Sequence, residues 1–243
     1  MVKRQGFEEN KLQLISLNST GFENESYMNL FWGLEDSIEE INSNASVAVV
    51  LVDLSDVILN PKTFDVGYES YFISDLISEI KLPTIGIVNS EAHLALLELF
   101  LCFDIRVASK KSKFSMSHIV NGFTPTDGGT QRLPRIAGTG RGMELLLTGR
   151  IFSAEEAMDI GVVQYLFSKN VVDEAIQLGS QIAGHGPIAA QYLKEAILSG
   201  ADMTLSQGLR LETDLNVILQ STNDRAEGIE SFLSKKSPKF MGR

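Results

Sequence analysis

His118 and Asp127 stand nine positions apart, on either side of a turn marked by Gly122 and Pro125. An imidazole has a reference pKa of about 6.5, so His118 can take up and return a proton near neutral pH. A carboxylate brought back by the turn could accept the other ring N–H, fix the tautomer and raise the basicity of the ring. The same residues also fit a plainer arrangement, in which His118 is a hydrogen-bonded structural histidine and Asp127 a turn residue or N-cap before the segment GGTQRL.

Other residues with chemical potential fall outside this pair. Cys102 lies between Leu101 and Phe103, which predicts a buried structural thiol rather than a nucleophile, and a single cysteine excludes an internal disulfide. His185, in GHGP, reads as a loop residue. Arg132, Arg135 and Arg141 could meet a phosphate or a carboxylate, although a solvated or intersubunit face suits them equally. Ser153 is a predicted helix N-cap, with Glu156 completing a capping box. No metal site is read from the sequence.

The elements that must position these groups follow from hydrophobic periodicity. Leu12 to Leu17 alternates as a strand, and Tyr27 to Ile41 places Leu30, Leu34, Ile38 and Ile41 on one side of a helix. The β-branched run Val47 to Leu54 marks a strand buried on both faces of a sheet. A helix around Tyr71 to Ile80 precedes Pro83 and a further buried strand, TIGIVN. Strand and helix in alternation imply right-handed crossovers and a mostly parallel sheet. From Ser153 the pattern turns helical, interrupted by a short apolar segment, Val162 to Phe167, and by the boundary signal Gly184 to Pro187. The division expected is a core over 1–183 and a helical C-terminal region over 184–243.

Composition bounds the function. The chain has 243 residues, 44% of them hydrophobic, enough to bury a substantial core. Its net charge of −10 argues against sequence-independent nucleic-acid binding, which needs an excess of Lys and Arg. No apolar run spans a bilayer and no signal peptide is read, so no membrane partner is expected and a cytoplasmic location is the default.

Three fragments, in order, resemble the crotonase (enoyl-CoA hydratase/isomerase) superfamily: GGTQRLPRIAG at Gly128 to Gly138, LLLTGRIFSAEEAMDIGVVQYLF at Leu145 to Phe167, and the tail DRAEGIESFLSKKSPKFMGR at Asp224 to Arg243. The resemblance implies an α/β fold, a crotonase-like spiral of βαβ units followed by a helical trimerisation region, hence a homotrimer or hexamer. It also implies one chemical task, holding an enolate or tetrahedral oxyanion on backbone N–H groups while side chains move protons.

The resemblance carries roles onto individual residues. Glu98 matches the first of the two carboxylates that a hydratase uses, and His118 fills the position of the second. Ala95, within Leu94-Ala95-Leu96 where the family has three glycines, matches the residue whose N–H binds the oxyanion. Lys236, Lys239 and Phe240 are similar to C-terminal residues that contact the nucleotide of CoA in relatives. The other half of the oxyanion hole, expected after Val47 to Leu54, departs from the family: Ile58, Leu59 and Phe64 replace its small residues around an Asn60-Pro61 turn.

Three readings remain open. The first is a hydratase- or isomerase-like enzyme acting on an acyl thioester of CoA or a carrier protein, with Glu98 and His118 moving protons and Ala95 N–H holding the oxyanion. The second rests on HIVNGFTPTDG, which is similar to the His/Asp motif of the CoA-independent β-diketone hydrolases, and is cleavage of a β-dicarbonyl C–C bond by a His118/Asp127 dyad. The third is a crotonase-fold subunit without catalysis, suggested by the apolar Leu94 to Leu97. None needs a cofactor; CoA, if used, is part of the substrate.

Overall fold

The computed structural model describes residues 2–19, 24–57 and 72–243. The departures read at Ile58, Leu59, Asn60-Pro61 and Phe64 lie outside the described residues.

A six-stranded sheet forms the centre, in the order β1 (Val2–Phe7), β2 (Leu12–Ser19), β3 (Val49–Val57), β4 (Thr84–Val88), β6 (Ile105–Ser109) and β9 (Tyr165–Phe167). β1 and β2 pair antiparallel, and the remaining neighbours are parallel. The run at β3 is continuously apolar because both of its faces are covered. On one face Val50, Val52 and Leu54 pack with Leu30, Leu34 and Ile38 of α1 (Asn24–Ser43) and Ile73 and Ile77 of α2 (Ile73–Ser78). On the other, Val49 and Leu51 join Ile85, Ile87 and Val107 beneath Val171 and Ala175 of α7 (Val171–Ala183). Gly179 lets α7 settle on the sheet, since a Cβ there would meet Leu12 Cδ1 and Leu51 Cδ1 at 2.8 Å.

A second sheet of three short strands, β5 (Glu91–His93), β7 (Lys113–Ser115) and β8 (Phe152–Ser153), sits at one end of the first. β5 leads into α3 (Ala95–Phe100), and β7 leads into a 3-10 helix, Ser117–Asn121. Gly122 closes that helix at φ 79°, a left-handed conformation that glycine adopts without steric cost. Gly128, at φ 91°, then starts α4 (Gly129–Ala137), which is followed by α5 (Thr139–Thr148) and α6 (Ala154–Asp159).

The last third is helical: α8 (Pro187–Gly200), α9 (Leu205–Leu219) and α10 (Asn223–Ser234). Pro187 opens α8, where its missing N–H has no acceptor to lose, and Thr204 with Gln207 forms a capping box on α9. Leu205 and Leu209 are largely exposed, as are Phe232 and Leu233 on α10, whereas Leu215 of α9 is buried. Glu156 also departs from expectation. Its N–H is capped by Ser153 Oγ, but its side chain bonds Arg150, which bridges Glu144 and Glu156, instead of returning to the cap. No helix among the described residues is long and apolar enough to cross a membrane.

Candidate active site

The two short segments that leave the small sheet bring Glu98 and His118 together. Glu98 stands on the first turn of α3 and His118 on the 3-10 helix, with His118 Nε2 2.9 Å from Glu98 Oε1. The side chains are 1% and 2% exposed, so this contact is made almost free of solvent. The second carboxylate oxygen, Oε2, accepts the N–H groups of Asp127 and Gly129, each at 2.8 Å. Gly129 permits this approach: a Cβ there would lie 3.0 Å from Glu98 Cγ, Glu98 Oε2 and Met116 Cε. The Gly-Gly start of α4 therefore seats a carboxylate on backbone donors at a helix N-terminus.

Asp127 is adjacent but is not the partner of His118. Its carboxylate accepts from Ser74 Oγ of α2, and its backbone carbonyl accepts from Arg132 Nη1 at 2.9 Å. Neither does Asp127 cap α4, whose N-cap is Gly128. Burial pushes the Asp127 carboxyl up to about 6; the Glu98 charge adds to the rise, while the Ser74 hydrogen bond and Arg132 oppose it. His118 Nδ1 is buried and has no hydrogen-bond partner among the described residues. The imidazole is thus oriented by Glu98 on one nitrogen, and the expected Asp127 bond to the other is absent.

Phe123 meets the imidazole edge-on, with ring centroids 5.5 Å apart. Beyond it opens an apolar cavity of about 260 Å³, lined among others by Ile119, Phe123, Pro134, Met143 and Leu147. Ala95 is buried at the first position of α3, where N–H groups have no intrahelical acceptor. Leu94, immediately before it, is held at φ 55°, ψ −127°. Positive φ on a leucine costs on the order of 1–3 kcal/mol and persists only where the surroundings enforce it. The backbone turn that a glycine would make without cost is thus kept here with a leucine.

The other candidates separate from this centre. Cys102 Sγ donates to the Glu98 carbonyl at 3.3 Å, and burial pushes the thiol up to about 12, which leaves it inert. His185 is exposed on its loop. The C-terminal tail is tied to its own chain. Asp224 accepts the N–H groups of Met241 at 2.7 Å and Gly242 at 2.9 Å, and Glu227 accepts Lys239 N–H at 2.9 Å. The Phe240 ring lies against Gly186 and Gly228, and its carbonyl accepts from Lys11 Nζ. The side chains of Lys236 and Lys239 stay exposed, and none of these tail contacts involves Glu98 or His118. Among the described residues no group of three or more His, Cys, Asp or Glu could hold a metal ion.

Sequence reasoning did not single out Ser74, Gly129 as the residue that admits Glu98, or Arg150. Of these only Gly129, in its Gly-Gly pair, carries a local signal. Ser74 acts through a partner distant in the sequence, Asp127, and Arg150 through carboxylates on the two helices that flank it.

Residues 52–243 match the family described as Enoyl-CoA hydratase/isomerase. The chain is 38% identical over 162 residues to 2,3-dehydroadipyl-CoA hydratase of Escherichia coli, a match that covers 66% of this chain and 64% of that protein. It is 39% identical over 153 residues to short-chain-enoyl-CoA hydratase of Clostridioides difficile, covering 63% of this chain and 98% of the relative. The crystal structure of enoyl-CoA hydratase from Bacillus anthracis superposes with a TM-score of 0.89 at 27% identity, over 100% of this chain and 99% of the other. The spiral α/β architecture with C-terminal helices is therefore the crotonase-like fold. With most of its length matched and a relative covered almost end to end, the chain belongs to the enoyl-CoA hydratase/isomerase family.

Proposed function

We propose that the protein is a hydratase- or isomerase-like enzyme acting on an α,β-unsaturated acyl thioester, with Glu98 and His118 as the proton-transfer groups. The observation that carries this reading is the buried contact of 2.9 Å between the two side chains, with Glu98 fixed by two backbone N–H donors. A carboxylate held this rigidly orients the imidazole, which on this reading exchanges protons with a substrate bound at the apolar cavity beyond the Phe123 ring. In hydration, the oxygen of water bonds to Cβ, its proton passes to the pair, and a proton is delivered to Cα. The negative charge that develops on the thioester oxygen between these events falls to the Ala95 N–H at the start of α3.

The relatives named as CoA hydratases support the thioester class, and Lys236, Lys239 and Phe240 are proposed to meet its nucleotide from the anchored tail. Residues 1–183 serve on this reading as the catalytic core, and 184–243 as the region through which a homotrimer or hexamer forms. The apolar side chains exposed on α9 and α10 support that assembly.

The test is substrate class. Purified protein should remove the conjugated double bond of a short trans-2-enoyl-CoA and leave a free 1,3-diketone intact. Cleavage of the diketone with no action on the thioester would favour the CoA-independent hydrolase, although Asp127 does not touch His118 as that mechanism expects. Inactivity toward both classes would favour the non-catalytic subunit.

A further inference from the structure

His93, Ser115 and Glu91 form a hydrogen-bonded line in the small sheet, next to the site but outside it. His93 and Ser115 face each other in register across the parallel pair β5 and β7. Ser115 Oγ lies 2.8 Å from His93 Nδ1, and His93 Nε2 lies 3.0 Å from Glu91 Oε2. An ionised carboxylate only accepts, so Nε2 carries the hydrogen, Nδ1 presents its lone pair, and the serine hydroxyl donates to it. Ser117 Oγ, 3.4 Å from Ser115 Oγ, occupies the remaining side of that hydroxyl.

Acid, imidazole and hydroxyl in sequence are the parts of an activated nucleophile. Ser115 is only 2% exposed, however, so no acyl group reaches it. The consequence of the line is mechanical. His93 directly precedes Leu94, whose backbone is held at φ 55° and whose N–H donates to the Ser115 carbonyl at 3.0 Å. Ser115 ends β7 and runs through Met116 into the helix that carries His118.

From this geometry we infer that His93 and Ser115 are positioning residues, clipping β5 to β7 so that Leu94 stays in its strained conformation and the Ala95 N–H keeps its aim relative to His118. The backbone bond from Leu94 fixes where the two strands meet, and the side-chain bond one residue earlier fixes the direction from which the chain enters the turn. Together they over-determine a conformation that leucine alone would leave. Glu91 orients the imidazole from the solvent side, with Lys113 3.7 Å from its other oxygen.

The inference rests on the thioester reading for its kinetic arm and on stability for an independent one. In Ser115→Ala and in His93→Ala, kcat on a short enoyl-CoA should fall about tenfold or more with KM within about twofold, because orientation rather than ground-state binding is lost. The double variant should be hardly worse than either single variant, since the two residues act as a unit. Leu94→Gly should restore much of kcat in the Ser115→Ala background, because glycine takes this conformation without strain. By thermal denaturation, Leu94→Gly should raise Tm by about 2–4 °C in the parent and by clearly less in Ser115→Ala, where the leucine has already relaxed. Parent kcat in both single variants, or an equal Tm gain in both backgrounds, overturns the inference. If the parent turns over no thioester, the functional reading fails and the Tm comparison alone decides this one.

Discussion

Glu98 Oε2 sits 2.8 Å from the backbone nitrogen of Gly129, and a Cβ on that residue would crowd the carboxylate, lying 3.0 Å from both Cγ and Oε2 of Glu98. Gly129→Ala should therefore shift the carboxylate on its donors by a few tenths of an ångström while leaving the helix intact, since alanine favours helix more than glycine does. Misplacing a catalytic group by a full ångström costs on the order of 10²-fold in rate, so a shift of a few tenths should cost roughly several-fold. A fall in kcat of about that size, with a far-ultraviolet circular dichroism spectrum like the parent's, is the expected outcome. Full activity in Gly129→Ala would mean that the seating of Glu98 is irrelevant to turnover.

Asp127 gives the protein a pH-dependent stability of known sign. Its carboxyl is raised from 3.8 to about 6, chiefly by burial, so between these values the folded chain holds a proton that the unfolded chain has released. The stability from this group is fully present below about pH 4 and is lost as pH rises through about 6. Asp127→Asn removes the titration, so relative to the parent the variant should gain stability from pH 4 to pH 7.5. The gain is on the order of 3 kcal/mol at most. Urea denaturation across that range measures it, and parallel profiles for the two proteins would refute the shift. Because Asp127 does not contact His118, this variant should also lose much less activity than His118→Ala.

The tail offers a third test. Asp224 is buried and accepts two N–H groups from Met241 and Gly242, so truncation after Leu233 strips a buried carboxylate of its donors. An unsatisfied buried charge of this kind costs more than about 1–3 kcal/mol. Truncation should lower Tm for that reason alone. Lys236→Ala with Lys239→Ala, which spares these bonds, is the cleaner probe of CoA binding. Calorimetry with an acyl-CoA should show weaker binding in the double variant at unchanged Tm, and equal binding would remove the tail from the substrate site.

Sedimentation tests the assembly. Leu205 at 79% exposure, Phe232 at 83% and Leu233 at 75% leave more apolar surface on α9 and α10 than a lone chain tolerates easily. A trimer or hexamer at micromolar concentration is expected. A stable monomer would contradict the assembly proposed for residues 184–243.

The long buried elements were legible in the sequence and the short ones were not. Val47 to Leu54 read as a doubly covered strand, and β3 occupies Val49–Val57, because a continuous β-branched run fits little else. β5, β7 and β8 span only two or three residues each, too few for a period of two to show, so the small sheet that joins α3 to the His118 helix went unread. The partner of His118 is hidden from the sequence for a related reason. Nine residues and a turn point to Asp127, whereas the structure gives the imidazole to Glu98, a residue brought near by strand pairing and not by local chain geometry.

Whether Glu98 and His118 work as one proton-transfer unit is decided by a kinetic double-mutant cycle on a trans-2-enoyl-CoA. Glu98→Gln and His118→Ala should each lower kcat by about 10²–10⁴, the usual worth of a positioned acid or base. The double variant should be hardly slower than the worse single one if the two residues, 2.9 Å apart, act as the proposed unit. Multiplicative losses would show two independent groups, and parent kcat in His118→Ala would leave the imidazole with no part in turnover.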